Sequence, residues 1–351
     1  ANCVSVNDSV LIPKGFPKAR ETIADAIGAK NEEIIFTSGA TESDNLALTG
    51  VMEKNKDRGN HLITCVTEHK AILDTAKHLE GQGFAVTYLP VNEFGEINLE
   101  ELQNAITDKT ILISIMAANN EIGTIADIAN IGKIAHENDV FFHTDAAQAV
   151  GHIHIDVNTM NIDLMSFSSH KIYGPKGIGA LYLRVLKPRV KLDSIMFGGG
   201  QERNIRSGTL NVPGIVGFAK AIEISQKEME KENAKSKRWT DSMLKKFQEA
   251  GGKLNGHPEK RLSHNLNVRF DGIESKAIIN TVSKKIAISA GSACTTQIVE
   301  PSHVLLAIGL GEDQTHSSIR VGCGRFNTDE EIEIAADEIY HAVESLAKIR
   351  I

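Results

Sequence analysis

The sequence has few cysteines, no long apolar run and no excess of positive charge, and each absence excludes a class of protein. Its four cysteines are scattered among 351 residues without the spacing of metal ligands. This argues against a disulfide framework and fits a reducing compartment. No apolar run approaches the length needed to span a membrane. The net charge of -7 leaves no basic surface, so we expect neither nucleic acid nor a membrane as a partner.

The first residues, 1–6, lack both the charged start and the apolar stretch of a signal peptide. Together with the unpaired cysteines, this predicts a cytoplasmic protein, with the mitochondrial matrix as the alternative. A chain of 351 residues can bury a large core and favours two domains over one.

Short apolar runs alternate with helical patterns through most of the chain, which predicts an α/β fold. Apolar strands separated by helices indicate a mostly parallel sheet that is covered on both faces. Ligands of such sheets bind beyond the carboxyl ends of the strands. The predicted strands are Glu33–Thr37, His61–Cys65, Ala85–Leu89, Thr110–Met116, Val140–Thr144, Asp163–Phe167 and Gly179–Leu183, and two of the predicted helices are Leu99–Ile106 and Ile128–Glu137.

A smaller α+β unit is predicted after a long helix from Pro213 to about Phe247. Its strands are His264–Phe270 and Ser318–Gly322, and its last helix begins at the capping box Thr328–Glu331 and runs towards residue 348. We therefore predict three parts: a segment 1–16, a large domain 17–225 and a small domain 226–351.

Asp145 and Lys171 each follow an apolar run that predicts a buried strand. A lysine amine can form a Schiff base with the aldehyde of pyridoxal phosphate. A carboxylate can keep the pyridine nitrogen protonated, so that the ring acts as an electron sink. Alone, each residue is more simply explained as a buried acid or a surface lysine. Together they predict pyridoxal phosphate as the cofactor.

Two further motifs fit this cofactor. The small residues Gly39 and Ala40, with Thr41, follow the first strand and open a helix, whose N-terminus favours an anion. We expect them to bind the phosphate, with Ser168 and His170 beside Lys171, although a Gly-Ala-Thr turn is also a plain helix cap.

His69 follows the second strand, where an imidazole can stack on the pyridine ring and move protons at neutral pH. Cys294 lies in the segment Ser289–Thr296, whose small residues predict a mobile loop. A reactive cysteine must be accessible and must reach the thiolate state. By composition alone, an inert residue in a turn remains the simpler explanation for Cys294.

From about residue 17 to its end, the chain resembles the pyridoxal-phosphate-dependent cysteine desulfurases of the NifS/IscS group, which have the aspartate aminotransferase-like class V fold. The form Gly-Ser-Ala-Cys-Thr at Gly291–Thr295 resembles the IscS-like branch. Residues 1–16 do not resemble the family's N-terminal strand, so we expect an atypical, shortened N-terminus. The matching stretches are Phe36–Asn45, Thr67–Lys70, Asn119–Gly123, His143–Gln148, Ser168–Gly177, Gly198–Arg203, Arg206–Thr209, Gly291–Thr295, Glu300–Pro301 and His316–Arg320.

The resemblance implies a role for each matching residue. Lys171 would link the cofactor covalently, Asp145 would pair with the pyridinium, and Gln148 would contact the ring hydroxyl. Thr209 would reach the phosphate of a second subunit in a homodimer. Asn120 and Arg320 would hold the substrate carboxylate.

The activity implied is the conversion of L-cysteine to L-alanine with a persulfide on Cys294, the catalytic nucleophile. The sulfur would go to an Fe–S scaffold protein or another acceptor for Fe–S cluster and thio-cofactor assembly. No resident metal is expected, although Cys294 would contribute to a transient cluster with a scaffold. Two alternatives remain: a selenocysteine lyase or related lyase, and a truncated cofactor-binding partner subunit with weak turnover.

Overall fold

The computed structural model describes residues 15–290 and 301–349 and divides them into two compact units. The first contains residues 15–89, Leu99–Ala117 and Asp127–Glu228. The second contains Pro90–Asn98, Ala118–Ala126 and the described residues from Met229 onward. The boundary thus follows Glu228 rather than residue 225, and two short segments predicted for the large domain cluster with the second unit. The predicted segment 1–16 lies almost entirely outside the described residues.

A seven-stranded sheet forms the centre of the first unit. Its spatial order is β1-β7-β6-β5-β4-β2-β3; β7 is antiparallel to both of its neighbours, and the remaining pairs are parallel. The prediction of a mostly parallel sheet is confirmed. The strands are β1 (Ile34–Thr37), β2 (His61–Cys65), β3 (Ala85–Leu89), β4 (Thr110–Ser114), β5 (Phe141–Asp145), β6 (Leu164–Ser168) and β7 (Gly179–Leu183).

Burial explains why these apolar runs form strands. Every residue of β2, β4, β5, β6 and β7 is buried, as expected for strands covered on both faces, whereas the edge strand β3 is partly exposed. The helices of this unit are α1 (Gly15–Asp25), α2 (Ala40–Lys54), α3 (Lys70–Gly81), α4 (Leu99–Ala105), α5 (Ile128–Glu137) and the first part of α6 (Val212–Glu249).

Helix α2 packs on the sheet through a buried stripe at helical spacing. Ala47, Leu48 and Val51 lie on this stripe and belong to an apolar core that includes Leu112, Leu164 and Leu181. Asp44 occupies the same stripe, at a position where this periodicity favours an apolar side chain. A carboxyl group is therefore held against the sheet.

The second unit is built on a four-stranded antiparallel sheet in the order β10-β11-β9-β8. Its apolar core includes Phe247, Phe270 and Ile339. The strands are β8 (Lys253–Leu254), β9 (Asn265–Arg269), β10 (Ser289–Ala290) and β11 (Ser318–Gly322), and the helices are the rest of α6, α7 (Ser275–Val282), α8 (His303–Ala307), α9 (Glu312–His316) and α10 (Asp329–Ile349).

Two sequence predictions can be compared directly with this unit. The predicted capping box is confirmed: the backbone N–H of Glu331 donates to the hydroxyl of Thr328 at 3.2 Å, and the Thr328 N–H donates to the Glu331 carboxylate at 3.1 Å. The loop predicted over Ser289–Thr296 begins as strand β10, since Ser289 pairs with Arg320 and Ala290 with Ile319. Its remaining residues, 291–296, lie outside the described part of the chain.

Within residues 15–290 and 301–349, no helix is both long and apolar enough to cross a membrane. The same residues contain no group of three or more His, Cys, Asp or Glu side chains arranged to hold a metal ion.

Candidate active site

Three strand ends meet at Gly179 and bring two sequence motifs side by side. Gly179 begins β7 and is opposite Thr37, the last residue of β1, and opposite Ser168, the last residue of β6. A Cβ atom on Gly179 would lie 2.6 Å from the Cα atom of Gly39. Glycine is therefore required here for close packing. The turn after β1 and the turn after β6 consequently share one edge of the sheet.

The first of these turns opens helix α2 without a side-chain cap. The N-cap residue is Gly39, which has no side chain to occupy the first backbone N–H groups of the helix. A Cβ atom at Gly39 would lie 3.6 Å from the hydroxyl oxygen of Ser168, so the missing side chain leaves space between turn and hydroxyl. Thr41 is exposed in the first turn of α2. Uncapped N–H groups beside hydroxyls suit a phosphate.

An imidazole completes this anion-binding edge. The hydroxyl of Ser168 is hydrogen-bonded to Nδ1 of His170 at 2.9 Å. Partial burial lowers the pKa of His170, and the positive charges of Lys171 and Lys176 lower it further. His170 is therefore a neutral hydrogen-bonding group at pH 7, while Lys171 and Lys176 supply positive charge nearby.

Asp145 ends strand β5 and is buried at the same edge of the sheet. The backbone N–H of Ala147 donates to Oδ1 of Asp145 at 2.8 Å. Burial raises the pKa of Asp145, while this N–H and the charges of His69 and Lys171 act in the opposite direction. The structure thus brings Asp145, His69 and Lys171 within electrostatic reach of one another.

His69 is held in a defined orientation because it caps helix α3. Its Nδ1 atom accepts a hydrogen bond from the backbone N–H of Ala71 at 3.1 Å. Since Nδ1 is an acceptor, the neutral ring carries its proton on Nε2. The side chain is exposed, so Nε2 can exchange a proton with a bound ligand.

Lys171 lies in a short 3-10 turn, Ser169–Ile172, that follows β6 directly. Lys171 is exposed, so its amine is accessible to a ligand. Gln148 is half-buried three residues after Asp145, in the turn that follows β5. These positions agree with the sequence prediction that both side chains lie beyond the strand ends.

The segment that carries Thr209 is tied to the turn before α2. Arg206 makes two hydrogen bonds to the carboxylate of Glu42, at 2.6 and 3.1 Å. The same carboxylate accepts the backbone N–H of Ser38 at 2.8 Å. Thr209 itself is exposed, which leaves it accessible to a second chain.

In the second unit the structure brings Asn120 and Arg320 together. Nη1 of Arg320 donates to the backbone carbonyl oxygen of Asn120 at 2.9 Å, and the amide of Asn265 donates to the same oxygen at 3.1 Å. The neighbouring Glu121 is buried and accepts a hydrogen bond from Ser302. Burial raises the pKa of Glu121, and Ser302, His303 and Arg320 oppose that rise. The guanidinium of Arg320 is thus positioned within its own unit.

Sequence inspection missed a buried polar cluster next to Asp145. His143 is completely buried; its Nδ1 is hydrogen-bonded to the hydroxyl of Ser114 at 2.8 Å and its Nε2 to that of Ser166 at 3.0 Å. Oδ1 of Asp44 lies 3.7 Å from the same Nε2. Strand alternation was the available signal, because a residue two positions before Asp145 lies on the same face of β5.

The cysteines differ in their placement. Cys65 and Cys323 are both buried. Burial raises the pKa of Cys65 to about 12 and also raises that of Cys323, so neither forms a thiolate readily at pH 7. Cys294, the residue predicted to be reactive, lies outside the described residues.

The groups at this edge of the sheet fit pyridoxal phosphate. The uncapped helix α2, Ser168 and His170 match a phosphate, the buried carboxyl of Asp145 matches a protonated ring nitrogen, and the amine of Lys171 matches an aldehyde. This match follows from the chemistry of the donor groups.

Comparison with known proteins agrees with this match. The family described as aminotransferase class-V matches residues 8–334. The chain therefore belongs to the class V aminotransferase family, whose enzymes use pyridoxal phosphate.

The relatives define a narrower group. The chain is 51% identical over 333 residues to the cysteine desulfurase IscS of Ehrlichia chaffeensis, covering 94% of this chain and 81% of that one. It is 52% identical over 330 residues to a probable mitochondrial cysteine desulfurase of Dictyostelium discoideum, covering 93% and 73%. The solved structure of a NifS-like protein superposes with a TM-score of 0.88 at 36% identity, covering 95% of this chain and 88% of that one. Within its family, the chain thus belongs to the cysteine desulfurases.

Proposed function

We propose that this enzyme converts L-cysteine to L-alanine and carries the released sulfur as a persulfide on Cys294. One observation supports this most directly. The uncapped start of α2, the carboxyl of Asp145 and the amine of Lys171 lie at one edge of one sheet, in a chain about half identical to cysteine desulfurases.

Bound at this edge, pyridoxal phosphate would supply an aldehyde that links to an amino group and a ring that withdraws electrons from the substrate. Lys171 provides the amine for attachment. Asp145 would stabilise a proton on the ring nitrogen, and Gln148 would bind the ring hydroxyl. Thr41, Ser168 and His170 hold the phosphate, together with the backbone N–H groups at Gly39 and Ala40.

Arg320 and Asn120 bind the carboxylate of the substrate. One N–H group of Arg320 is already used by the carbonyl of Asn120, which orients the guanidinium. Among the described residues no hydrogen bond occupies the other donors of its planar fork, which can therefore bind a carboxylate. His69 would contact the ring and would move a proton through Nε2, the nitrogen that does not accept from Ala71.

The sulfur step is a displacement at the substrate sulfur. The sulfur atom of Cys294 attacks this sulfur, so that an S–S bond forms and the substrate C–S bond breaks. The electron pair of the broken bond stays on carbon, which takes up a proton and becomes the methyl group of L-alanine. The enzyme thiol and L-cysteine thus give the enzyme persulfide and L-alanine, with all atoms accounted for.

The partners follow from the same chemistry. Cys294 passes its sulfur to an Fe–S scaffold protein or another acceptor and joins a transient cluster there. The enzyme acts as a homodimer in which Thr209 of each chain contacts the phosphate site of the other. Support for this comes from the exposure of Thr209 and the attachment of its segment through Arg206. We place the enzyme in the cytoplasm, or in the mitochondrial matrix as the alternative.

The test is an assay of sulfide and L-alanine released from L-cysteine by the purified holoenzyme. Wild type should release both products, Lys171→Ala should lose turnover and covalent cofactor attachment, and Cys294→Ser should keep the cofactor but release almost no sulfide. Cys65→Ser and Cys323→Ser are matched controls, since both thiols are buried and should be dispensable.

The outcomes separate the alternatives. Turnover only of L-selenocysteine would identify a selenocysteine lyase instead. A wild-type chain that binds cofactor but turns over neither substrate would be a cofactor-binding partner subunit. A persulfide found by mass spectrometry chiefly on Cys65 or Cys323 would contradict the role of Cys294.

A further inference from the structure

A carboxyl group lies behind Asp145 in a place that the proposed chemistry does not use. Asp44 is completely buried at the start of helix α2. Within the described part of the chain, neither of its carboxyl oxygens has a hydrogen-bond partner. A charged carboxylate without partners is very costly to bury, and such a group normally takes up a proton instead.

Two of the side chains that surround Asp44 are acids. The acidic groups that act on it are Asp145 at the end of β5 and Glu68 in the turn after β2. The carboxyl of Glu68 accepts the backbone N–H of Met116 at 2.7 Å, and burial raises its pKa well above the usual range. Three carboxyl groups thus share one buried region, and like charges this close cannot all be ionised.

His143 is the basic side chain near Asp44, and complete burial favours its neutral form. Both ring nitrogens are hydrogen-bonded to serine hydroxyls, and burial lowers the pKa of His143 to about 3. Its Nε2 is 3.7 Å from Asp44, beyond hydrogen-bonding distance. Burial and the charge of Asp145 raise the pKa of Asp44 well above its usual range. The Ser166 hydroxyl is close enough to oppose this rise, but it is hydrogen-bonded to Nε2 of His143 at 3.0 Å and makes no bond of good geometry to Asp44.

Asp145 is the member of this group that favours ionisation. It accepts the backbone N–H of Ala147 and has the positive charge of Lys171 nearby. We propose that Asp44 is a positioning residue that stays protonated behind Asp145, so that Asp145 carries the negative charge that faces the cofactor ring. For the cofactor, this inference rests on the proposed function; for Asp44 itself, it stands on the buried geometry.

The pH dependence of stability tests the protonation of Asp44 directly. A carboxyl with a raised pKa in the folded state binds a proton there while the unfolded chain has already lost it, so stability falls as pH rises above about 4. The substitution Asp44→Asn keeps the shape of the side chain but replaces the carboxyl group with an amide that does not titrate. Its unfolding midpoint should therefore exceed that of wild type at pH 8, and the gap should shrink towards pH 4.5.

A second variant separates titration from packing. Asp44→Ala leaves a cavity and should unfold earlier than Asp44→Asn at every pH, yet it removes the same titrating group. The slope of the unfolding midpoint against pH should therefore differ from that of wild type by the same amount in both variants. Asp163→Asn is the matched control, because Asp163 is equally buried but lies 2.9 Å from Nε of Arg184. It should lower the midpoint throughout this range.

The second readout is the pH titration of the visible absorbance of the holoenzyme. Its midpoint should be the same in wild type and both Asp44 variants, since a neutral group is replaced by neutral groups. An absorbance midpoint that moves to lower pH in both variants would overturn the proposal. A difference in unfolding midpoint between Asp44→Asn and wild type that does not depend on pH, or that has the opposite sign, would also overturn it. If no cofactor binds at all, the proposed function fails while the unfolding measurement still decides the state of Asp44.

Discussion

Two buried aspartates lie against strand β6, one towards each end, and their surroundings are opposite. Asp163, at the amino end, is 2.9 Å from Nε of Arg184 and 3.0 Å from Nε2 of His136, and it accepts the backbone N–H of Phe142. Asp44, towards the carboxyl end, has no such partner among the described residues. One end of the strand thus uses a carboxylate as a structural ion. The other end keeps the Asp44 carboxyl without a counter-ion among the described residues, close to the edge where the cofactor is proposed to bind.

The difference shows that one end of the sheet uses a buried carboxylate for stability, whereas the other end places buried carboxyl groups near the proposed cofactor site. Paired buried charges have fixed protonation states, whereas unpaired ones have shifted pKa values and respond to what binds nearby. The site proposed for the cofactor lies at the unpaired end, as expected for ligands that bind beyond the carboxyl ends of parallel strands.

The largest expected effect is at the paired end. Asp163→Asn leaves the buried guanidinium of Arg184 without its counter-ion, which typically costs about 3–5 kcal/mol of unfolding free energy. Chemical denaturation at neutral pH measures this loss. An unchanged midpoint would mean that the carbonyl oxygens of Val157 and Ile162, which also accept from Arg184, suffice to hold it. The contrast between the two ends would then disappear.

An intermediate effect is expected for His143, at the unpaired end. Its pKa of about 3 is below the unfolded value of roughly 6.5. The stability that depends on its neutral form is therefore complete above pH 6.5 and is lost as pH falls towards 3. His143→Gln should remove this dependence, which for one proton amounts to at most about 1.4 kcal/mol of unfolding free energy per pH unit.

The measurement for His143 is thermal unfolding between pH 4 and 7 for both proteins. The pKa of His61 is also lowered by burial, but His61 is present in both and cancels in the difference. If the unfolding midpoints of the two proteins fall equally between pH 7 and pH 4, His143 is not kept neutral by the fold, and the proposal that Asp44 is protonated loses its support.

The smallest effect is expected at the surface. Arg58 and Asp139 form an ion pair at 3.2 Å, in which the Asp139 side chain is 94% exposed. Asp139→Asn should change the unfolding free energy by less than about 1 kcal/mol, since exposed pairs contribute little. Asparagine also tolerates the positive φ of 54° at this position. A loss comparable to that of Asp163→Asn would show that burial is not what separates these pairs.

Much of the fold was predictable because most strands of the large sheet are buried on both faces and read as continuous apolar runs, and only the edge strand β3 is partly exposed among its described strands. Strands β2, β3 and β7 have the predicted bounds, and helix α5 does as well. Strands β8 and β10 were missed because two residues carry no detectable period. The short segments Pro90–Asn98 and Ala118–Ala126 belong to the second unit through contacts that sequence periodicity does not report.

The candidate site shows the same division. Asp145, Lys171 and the turn at Gly39 were predictable because each follows a recognisable strand. Their roles, and those of Asn120, Arg320 and Cys294, stay predictions until the variants are assayed. Asp44 could not be singled out, because an aspartate in a helix ordinarily faces solvent and only packing shows that this one does not.

The sequence by itself determined the order of the strands and helices, the class V family and the chemical types available at the strand ends. These follow from local periodicity and from motifs within short stretches of chain. The tertiary structure alone decided which of two buried aspartates has a counter-ion. Arg184 reaches Asp163 because β7 runs antiparallel to β6, and Asp44 meets His143 because α2 packs across the sheet. Protonation in a buried region depends on such distances, and neighbours in space are not neighbours in sequence.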